Sequence, residues 1–345
     1  MLKQIFNLLE QSYAEHYSDI HLAINQKPAV RRNGKIHLQE TMPLTTKETL
    51  QAFILHMLAT IGIKQDNGKD IDLSFSHKNN RYRVNIYTKQ GERAVAIRVL
   101  HPTVPTLEKM QLPEIFKSIL DNKNGLILVT GPTGCGKSTT LAAMVNHLNL
   151  SRCMHILTFE DPIEFLFRNE QSIVSQREIG KDVDTFANAL RSSLREDPDV
   201  IMVGEMRDLE TIGLALTAAE TGHLVLSSLH TIGAAQTIDR IIDVFPPHHQ
   251  SQIRTQLSNS LRAVISQVLL PKAHGEGQVA AFEIMIVNQA ISSAIKKGKT
   301  SQISSSIQTG VHKGMITLEQ SVYRLIENQV INPKDATSYL NGLEI

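Results

Sequence analysis

The stretch LILVTGPTGCGKSTT, residues 126–140, constrains the fold more than any other part of the chain. Its first four residues are apolar and β-prone, the next segment is rich in glycine, and the residues that follow have the composition of a helix. A glycine-rich loop with the spacing G-x-x-x-x-G-K-[ST], placed between a strand and a helix, is the Walker A pattern. The stretch therefore predicts a P-loop α/β fold that binds a nucleoside triphosphate.

The residues of this loop have separate tasks. Glycines let backbone N–H groups turn toward phosphate oxygens, and the N-terminus of the following helix adds partial positive charge. Lys137 is placed to reach the β- and γ-phosphates, and the Ser138 hydroxyl can complete the shell of Mg²⁺. We expect ATP and Mg²⁺ as cofactors. The predicted nucleotide-binding residues are Gly131, Pro132, Thr133, Gly134, Cys135, Gly136, Lys137, Ser138 and Thr139.

Composition limits the class of protein. With 345 residues the chain is longer than one core usually supports, which predicts two domains. Its 35 Lys and Arg residues nearly balance 34 Asp and Glu residues, so bulk charge does not favour nucleic acid as a partner. The sequence lacks an apolar run of 18 residues and a signal-peptide pattern, so we expect a cytoplasmic protein. Cys135 and Cys153 are too few for a disulfide framework or a zinc site. We interpret Cys135 as a tolerated small residue rather than a redox switch.

The chain divides into two regions with different patterns. Residues 1–100 predict a small α+β domain, and three prolines indicate a linker over residues 101–113. Residues 114–345 alternate between strands and helices, which is typical of a mostly parallel sheet covered by helices, and become helical from about residue 288. The predicted strands of this second domain are 125–130, 155–159, 199–203 and 223–229.

A helix is predicted over residues 184–195. Phe186, Leu190 and Leu194 recur there at helical spacing, which predicts a single buried face.

Acidic residues follow two of the predicted strands. FEDPIEF, residues 159–165, supplies Glu160, Asp161 and Glu164 at a strand end, where ligands of parallel sheets gather. Such carboxylates can order water around Mg²⁺, and Glu160 is the candidate for that role. In DVIMVGEMRD, residues 199–208, Glu205 emerges just after a buried strand, as a Walker B acid that orients the attacking water would. As catalytic group we favour Glu205 over Glu160.

Two histidines border the strand in GHLVLSSLHT, residues 222–231. His230 leaves this strand at the sheet edge that carries the phosphate loop, so it is a candidate contact or sensor for the γ-phosphate. His223 stands at the start of the strand and is the weaker candidate. His248 and His249 follow two prolines at a predicted helix start, and we interpret them as solvated rather than metal-binding.

Arginines of the first domain are candidates for a separate role. Guanidinium groups from outside the P-loop domain can stabilise charge that develops on the γ-phosphoryl oxygens. In the predicted strand over residues 81–87, Arg81 and Arg83 point to one face, so either could serve.

Taken together, these motifs resemble the secretion ATPases of type II secretion and type IV pilus systems, which are defined by Walker A, aspartate-box, Walker B and histidine-box motifs. The long blocks at residues 189–225 and 237–246, with SDIHL at 18–22 and SSIQTG at 305–310, look most like the pilus-retraction members. The likeness covers nearly the whole chain.

The resemblance implies a homohexameric motor at the cytoplasmic face of the bacterial inner membrane. Each subunit would have a PAS-like N-terminal domain over residues 1–100 and a RecA-like ATPase domain over 114–345. The motor would be peripheral to the membrane and would bind the inner-membrane platform protein of a type IV pilus machine. In this alignment Glu205 matches the catalytic glutamate, and Arg83 and Arg98 match arginines that reach the γ-phosphate, ahead of Arg81 and Arg93. The supporting positions are the aspartate box, Glu160, Asp161 and Glu164, and the histidine box, His223 and His230.

Departures from the family pattern bear on the direction of the motor. Pilus-assembly and secretion members have a longer N-terminus and a four-cysteine zinc element, whereas PKAHGEGQVAAFE, residues 271–283, contains no cysteine, which favours retraction. Retraction members carry AIRNLI near the C-terminus, where this chain has AISSAI at residues 290–295. Ser292 replaces a charged, planar donor group that serine cannot imitate.

Three alternatives therefore stay open beside the main retraction motor. The chain could be an accessory retraction ATPase, an assembly or type II secretion ATPase of the same superfamily, or a nucleotide-regulated adaptor with little turnover.

Overall fold

The computed structural model describes residues 1–32, 34–63, 65–78, 80–100, 103–275 and 277–340. The chain forms two compact units. The first comprises Met1–Val104 together with the short segment Pro162–Leu166, and the second comprises the rest of the chain from Pro105. Residues 101 and 102 of the predicted linker lie outside the described residues.

The first unit is an antiparallel sheet of six strands in the order β3-β2-β1-β6-β5-β4, with two helices. Side chains alternate along β5 between a buried face and a more exposed face, because successive residues of a strand point to opposite sides. Ile20 of β1 and Val84 of β5 share a core with Phe53 of the second helix. The elements are α1 Leu2–Gln11, β1 Tyr17–Ala23, β2 Ala29–Arg32, β3 Lys35–Leu38, α2 Lys47–Thr60, β4 Ile71–His77, β5 Asn80–Lys89 and β6 Glu92–Leu100.

The second unit is built on a sheet of seven strands in the order β13-β12-β7-β11-β10-β8-β9. Neighbouring strands are parallel except for the antiparallel pair β12–β13. Its elements are α3 Ile115–Leu120, β7 Gly125–Thr130, α4 Lys137–Ser151, β8 His155–Glu160, β9 Ile173–Glu178, α5 Phe186–Ser193, β10 Val200–Val203, α6 Leu209–Glu220, β11 Leu224–Leu229, α7 Ala234–Asp243, α8 Pro247–Ser260, β12 Leu261–Pro271, β13 Gln278–Ile286, α9 Gln289–Lys296, α10 Ile303–Thr309, α11 Leu318–Glu327 and α12 Pro333–Leu340.

The central strands of this sheet are buried along their whole length. Every residue of β7, β10 and β11 is buried, because helices cover the sheet on both faces, and such strands read as continuous apolar runs. The predicted mixed α/β class is confirmed. The chain after residue 288 contains helices α9 to α12, as expected.

The predicted buried face of α5 is wrong at one position. Leu190 is buried and Phe186 is half-buried, but Leu194 is 42 % exposed. The helix ends at Ser193, and Leu194 follows as its C-terminal cap. The buried face of the helix therefore ends before Leu194.

Candidate active site

The phosphate loop, Glu205, His230 and Glu160 lie along one edge of the second sheet. Strands β7, β11, β10 and β8 are adjacent and parallel, with Thr130 opposite Leu229 in the register. The loop follows β7, His230 follows β11, and Glu205 comes two residues after β10, while Glu160 is the last residue of β8. Residues that are far apart in the chain thus come together at the carboxyl ends of the parallel strands.

Glycine is required at the first position of the phosphate loop. Gly131 has a φ of 144°, a conformation that other residues rarely adopt. A Cβ atom there would lie 2.2 Å from the Gln267 carbonyl oxygen and 2.6 Å from Cys135 Sγ. Gly134 and Gly136 also have positive φ values, and α4 begins directly after them. The loop thus forms a backbone cradle at a helix N-terminus, which fits phosphate groups.

Lys137 is held inside this cradle. Its side chain is buried, and Nζ donates to the carbonyl oxygens of Gly131 at 2.9 Å and Pro132 at 3.1 Å. Burial lowers the pKa of Lys137, and the charges of Cys135 and Glu205 act in the opposite direction.

Of the next two predicted residues, Ser138 is exposed and Thr139 is half-buried in the first turn of α4. The Ser138 hydroxyl is therefore accessible at the position where a Mg²⁺ ligand is expected.

His230 connects the phosphate loop with Glu205. Its Nδ1 lies 3.5 Å from Lys137 Nζ and 3.4 Å from Thr133 Oγ1, and its Nε2 lies 3.2 Å from Glu205 Oε2. The other carboxylate oxygen of Glu205 forms an ion pair with Arg207. The structure thus brings Lys137, His230 and Glu205 into one chain of polar contacts.

The backbone on both sides of Glu205 is fixed by the neighbouring strands. The Gly204 N–H donates to the Phe159 carbonyl at 2.8 Å, and the Met206 N–H donates to the Ser228 carbonyl at 3.1 Å. The Glu205 side chain is 15 % exposed. An acid held in this way is suited to orienting a water molecule at the sheet edge.

The three acids of the aspartate box have different surroundings. Glu160 is buried, and its Oε1 accepts hydrogen bonds from Thr158 Oγ1 at 2.7 Å and Gln176 Nε2 at 3.0 Å. Asp161 is exposed. Glu164 is half-buried in the segment Pro162–Leu166, which groups with the first unit. The predicted cluster is therefore divided between the units.

His223 lies at the opposite end of β11 from His230. Its backbone carbonyl accepts a hydrogen bond from Gly125 N, at the start of β7, and its Nδ1 lies 3.0 Å from the Ala218 carbonyl oxygen. The six residues of β11 separate it from the phosphate-loop edge, a distance of about 20 Å at the usual rise per residue. These contacts fit a role for His223 in holding the start of β11 rather than in contacting phosphate.

Arg83 and Arg98 lie side by side in the first unit. They are directly opposite each other in the β5–β6 register, so both point to the same face. Arg98 Nε lies 3.1 Å from Asp19 Oδ1, and Arg83 Nη2 lies 3.5 Å from Asp72 Oδ2. The Arg98 side chain is 66 % exposed and the Arg83 side chain is 40 % exposed, so both cations are accessible.

Arg93 is held differently from these two arginines. Its Nε lies 2.8 Å from Asp66 Oδ2 in an ion pair whose side chains are each 16 % exposed, and its Nη2 also bonds Asp66.

Gln267 supports the phosphate loop and was not predicted from the sequence. It is buried in β12, where its Nε2 donates to the Cys135 carbonyl and its Oε1 accepts from Thr140 Oγ1 at 2.8 Å. The available signal was a polar pair, Ser266 and Gln267, inside the apolar run VISQVLL.

Metal clusters and membrane spans are both absent from the described residues. Within those ranges, no three His, Cys, Asp or Glu side chains form a group that could hold a metal ion. None of the helices in that part of the chain is long and apolar enough to cross a membrane.

Comparison with known proteins places this chain in a family. The model of the family described as "Type II/IV secretion system protein" matches residues 1–336. The chain belongs to this family of ATPases. A "Twitching motility protein" of Neisseria gonorrhoeae is 52 % identical over 268 residues, which cover 77 % of this chain and 72 % of the relative. The "Type IV pilus retractation ATPase PilT" of Pseudomonas aeruginosa is 45 % identical over 334 residues, 96 % of each chain.

A solved structure extends this likeness to the fold. The crystal structure of "the Pilus Retraction Motor PilT and Bound ADP" superimposes with a TM-score of 0.88 at 42 % identity, covering 97 % of this chain and 96 % of the other. The predicted resemblance to PilT-like ATPases is therefore confirmed, and so is the prediction of an ATPase.

Proposed function

We propose that the chain is a hexameric cytoplasmic motor that couples ATP hydrolysis to the retraction of type IV pili. The observation that carries this proposal is the match with the Pseudomonas retraction ATPase over 96 % of both chains. The contacts of His230 with Lys137 and Glu205 support turnover rather than binding alone, because they place an acid beside the phosphate loop. This arrangement argues against a nucleotide-regulated adaptor.

The residues of the sheet edge would divide the work of hydrolysis. Lys137 and the loop N–H groups bind phosphate oxygens, and Glu205 orients water for in-line attack on the γ-phosphate. When bound, Mg²⁺ neutralises charge on the β- and γ-phosphates, and Ser138 is the residue that would hold it. Glu160 would act indirectly, because its carboxylate already accepts two hydrogen bonds.

The exposed arginines of the first unit are our candidates for contact with the γ-phosphate of a nucleotide. Arg83 and Arg98 stand next to each other on one sheet face with exposed guanidinium groups, which suits contact with the γ-phosphoryl oxygens in the transition state. In the PAS-like and RecA-like division that we propose, these arginines belong to the first unit and the phosphate loop to the second.

An accessory retraction role is the second candidate, because of Ser292. This residue lies half-buried on α9, and its hydroxyl donates to the Ser258 carbonyl of α8 at 2.8 Å. Serine thus packs between two helices at the position where the pattern of the retraction members has an arginine. Hydrolysis would be intact, whereas the coupling of hydrolysis to movement would differ.

We propose the inner-membrane platform protein of the pilus machine as the partner, bound at the cytoplasmic face of that membrane. The test is live imaging of labelled pili in cells that lack the gene, complemented with the wild type or with Glu205→Gln. Abundant pili that never shorten without active protein are the expected result. Bald cells would overturn retraction in favour of assembly, and slower but persistent retraction would favour the accessory role.

A further inference from the structure

Glu283 is a carboxylate inside the fold that the steps of hydrolysis do not use. It lies on β13, directly opposite Ser266 of β12. Its Oε1 accepts a hydrogen bond from the backbone N–H of Ala234 at 2.7 Å. Ser266 Oγ accepts from the N–H of Gly233 at 2.9 Å. A cross-strand pair thus binds two successive N–H groups at the beginning of α7, where a helix has no internal acceptors for them.

The strand on both sides of Glu283 is bonded to the beginning of a second helix, α11. The Phe282 N–H donates to Ser321 Oγ at 3.0 Å, and the Ile284 N–H donates to the Ile316 carbonyl at 2.9 Å. Burial raises the pKa of Glu283, and the N–H groups of Ala234 and Leu318, the first residues of α7 and α11, act in the opposite direction. The stretch of β13 centred on Glu283 therefore joins α7 to α11, a helix of the C-terminal part.

The beginning of α7 is directly connected to His230. Only residues 231–233 separate them. Thr231 Oγ1 lies 2.7 Å from Thr237 Oγ1, and Thr237 Oγ1 donates to the Gly233 carbonyl at 2.7 Å, so this short segment is tied to the first turn of α7. A shift of the α7 N-terminus would therefore move the His230 ring relative to Lys137 and Glu205.

We propose that Glu283 is a positioning residue that sets the place of His230 and links the histidine segment to α11. Movement of His230 on nucleotide binding is thereby passed to the C-terminal helices. This inference rests on the proposed role of His230 at the γ-phosphate. Its physical basis is that Glu283 bonds the first N–H of α7, while the residues on both sides of it bond Ser321 and Ile316 at the beginning of α11. A shift of either helix would therefore act on the same short stretch of β13.

The test compares ATP turnover and amide hydrogen exchange in the full-length protein and its variants. Glu283→Ala is expected to lower kcat about 10- to 100-fold with the KM for ATP unchanged, because a misplaced group affects turnover more than binding. The hydrogen-exchange rate of the Leu318 amide should change when ADP is added to the wild type and should not change in the Glu283→Ala variant. Glu283→Gln keeps the size and one acceptor oxygen, and should give the same effects in weaker form if the alanine variant fails to fold.

Variants of neighbouring residues separate positioning from simple stabilisation. Ser266→Ala removes the hydrogen bond that Ser266 Oγ accepts from the Gly233 N–H, and should lower kcat. Thr317→Ala removes the capping box of α11 but leaves the bond between Glu283 and Ala234, and should keep the wild-type kcat. Wild-type kcat in both Glu283 variants, with kcat reduced in His230→Ala, would overturn the inference and leave the proposed site intact. Wild-type kcat in His230→Ala would overturn both.

Discussion

His230 Nε2 lies 3.2 Å from Glu205 Oε2, and this contact determines which ring nitrogen carries the proton. The Nδ1 atom faces the ammonium group of Lys137 at 3.5 Å, which has only protons to offer. A neutral ring therefore accepts at Nδ1 and donates from Nε2 to Glu205. This assignment follows from the partners of the ring. His230 thus links Lys137 to Glu205 through its two ring nitrogens.

The first prediction concerns Glu205. Glu205→Gln removes the carboxylate that we propose orients the attacking water, and should lower kcat about 100-fold or more. ATP binding should be retained, because the phosphate loop is unchanged. Steady-state turnover and equilibrium binding of a labelled ATP analogue measure the two effects. Glu210→Gln is the matched control, since Glu210 pairs with Arg191 on the exposed face of α6. Retained turnover in Glu205→Gln would remove Glu205 from the catalytic role.

The second prediction separates a functional arginine from a structural one. Arg98→Ala should lower kcat about 1000-fold, as loss of an arginine that contacts the γ-phosphate does. Its melting temperature should hardly change, because an exposed ion pair contributes about 1 kcal/mol or less. Arg93→Ala should keep the wild-type kcat and lower the melting temperature. Its bidentate bonds to Asp66 are largely shielded from water, so their loss should reduce the free energy of unfolding by about 2 kcal/mol. A fall in ATP binding alone for Arg98→Ala would refute the transition-state role.

Sequence patterns were sufficient where one local cause determines the structure. The apolar runs that become β7, β10 and β11 were predicted because both faces of these strands are buried, and the phosphate loop was predicted because its glycines have a fixed spacing. Strand β3 was not predicted, because it has only four residues and all of them are exposed.

Contacts between distant parts of the chain could not be predicted from these sequence patterns. Gln267 became visible as a support of the phosphate loop only when β12 was placed beside β7. His223 was grouped with His230 by motif, although the length of β11 separates them. The position of Glu283 between α7 and α11 likewise depends on the pairing of β12 with β13.

The third prediction concerns the two thiols. Cys135 is buried, and burial raises the pKa of its thiol, whereas Cys153 is exposed. Because the thiolate is the reactive form, iodoacetamide should label Cys153 first and Cys135 slowly. Timed alkylation followed by peptide mass spectrometry measures both rates in one sample. Cys135→Ala should keep ATPase activity, since the Cys135 backbone carbonyl, not its thiol, bonds Gln267. Fast labelling of Cys135 would contradict the tight packing of the phosphate loop.

The last prediction uses pH to test the environment of Glu283. Burial raises its pKa above the usual 4.5, so the folded state holds this proton more tightly than the unfolded chain does. The contribution of this group to stability is therefore complete below pH 4.5 and is lost as the pH rises through the folded-state pKa. The Glu283→Gln variant removes this dependence, because an amide side chain does not titrate.

Since the variant has no proton to lose, its melting temperature minus that of the wild type should increase as the pH rises from 4 to about 8. Calorimetry of both proteins across this range measures the difference, in which the titration of all other groups cancels. Glu319→Gln, an exposed position in the first turn of α11, is the matched control and should show no comparable rise. A difference that decreases with pH would mean that the N–H groups of Ala234 and Leu318 stabilise the carboxylate by more than burial costs.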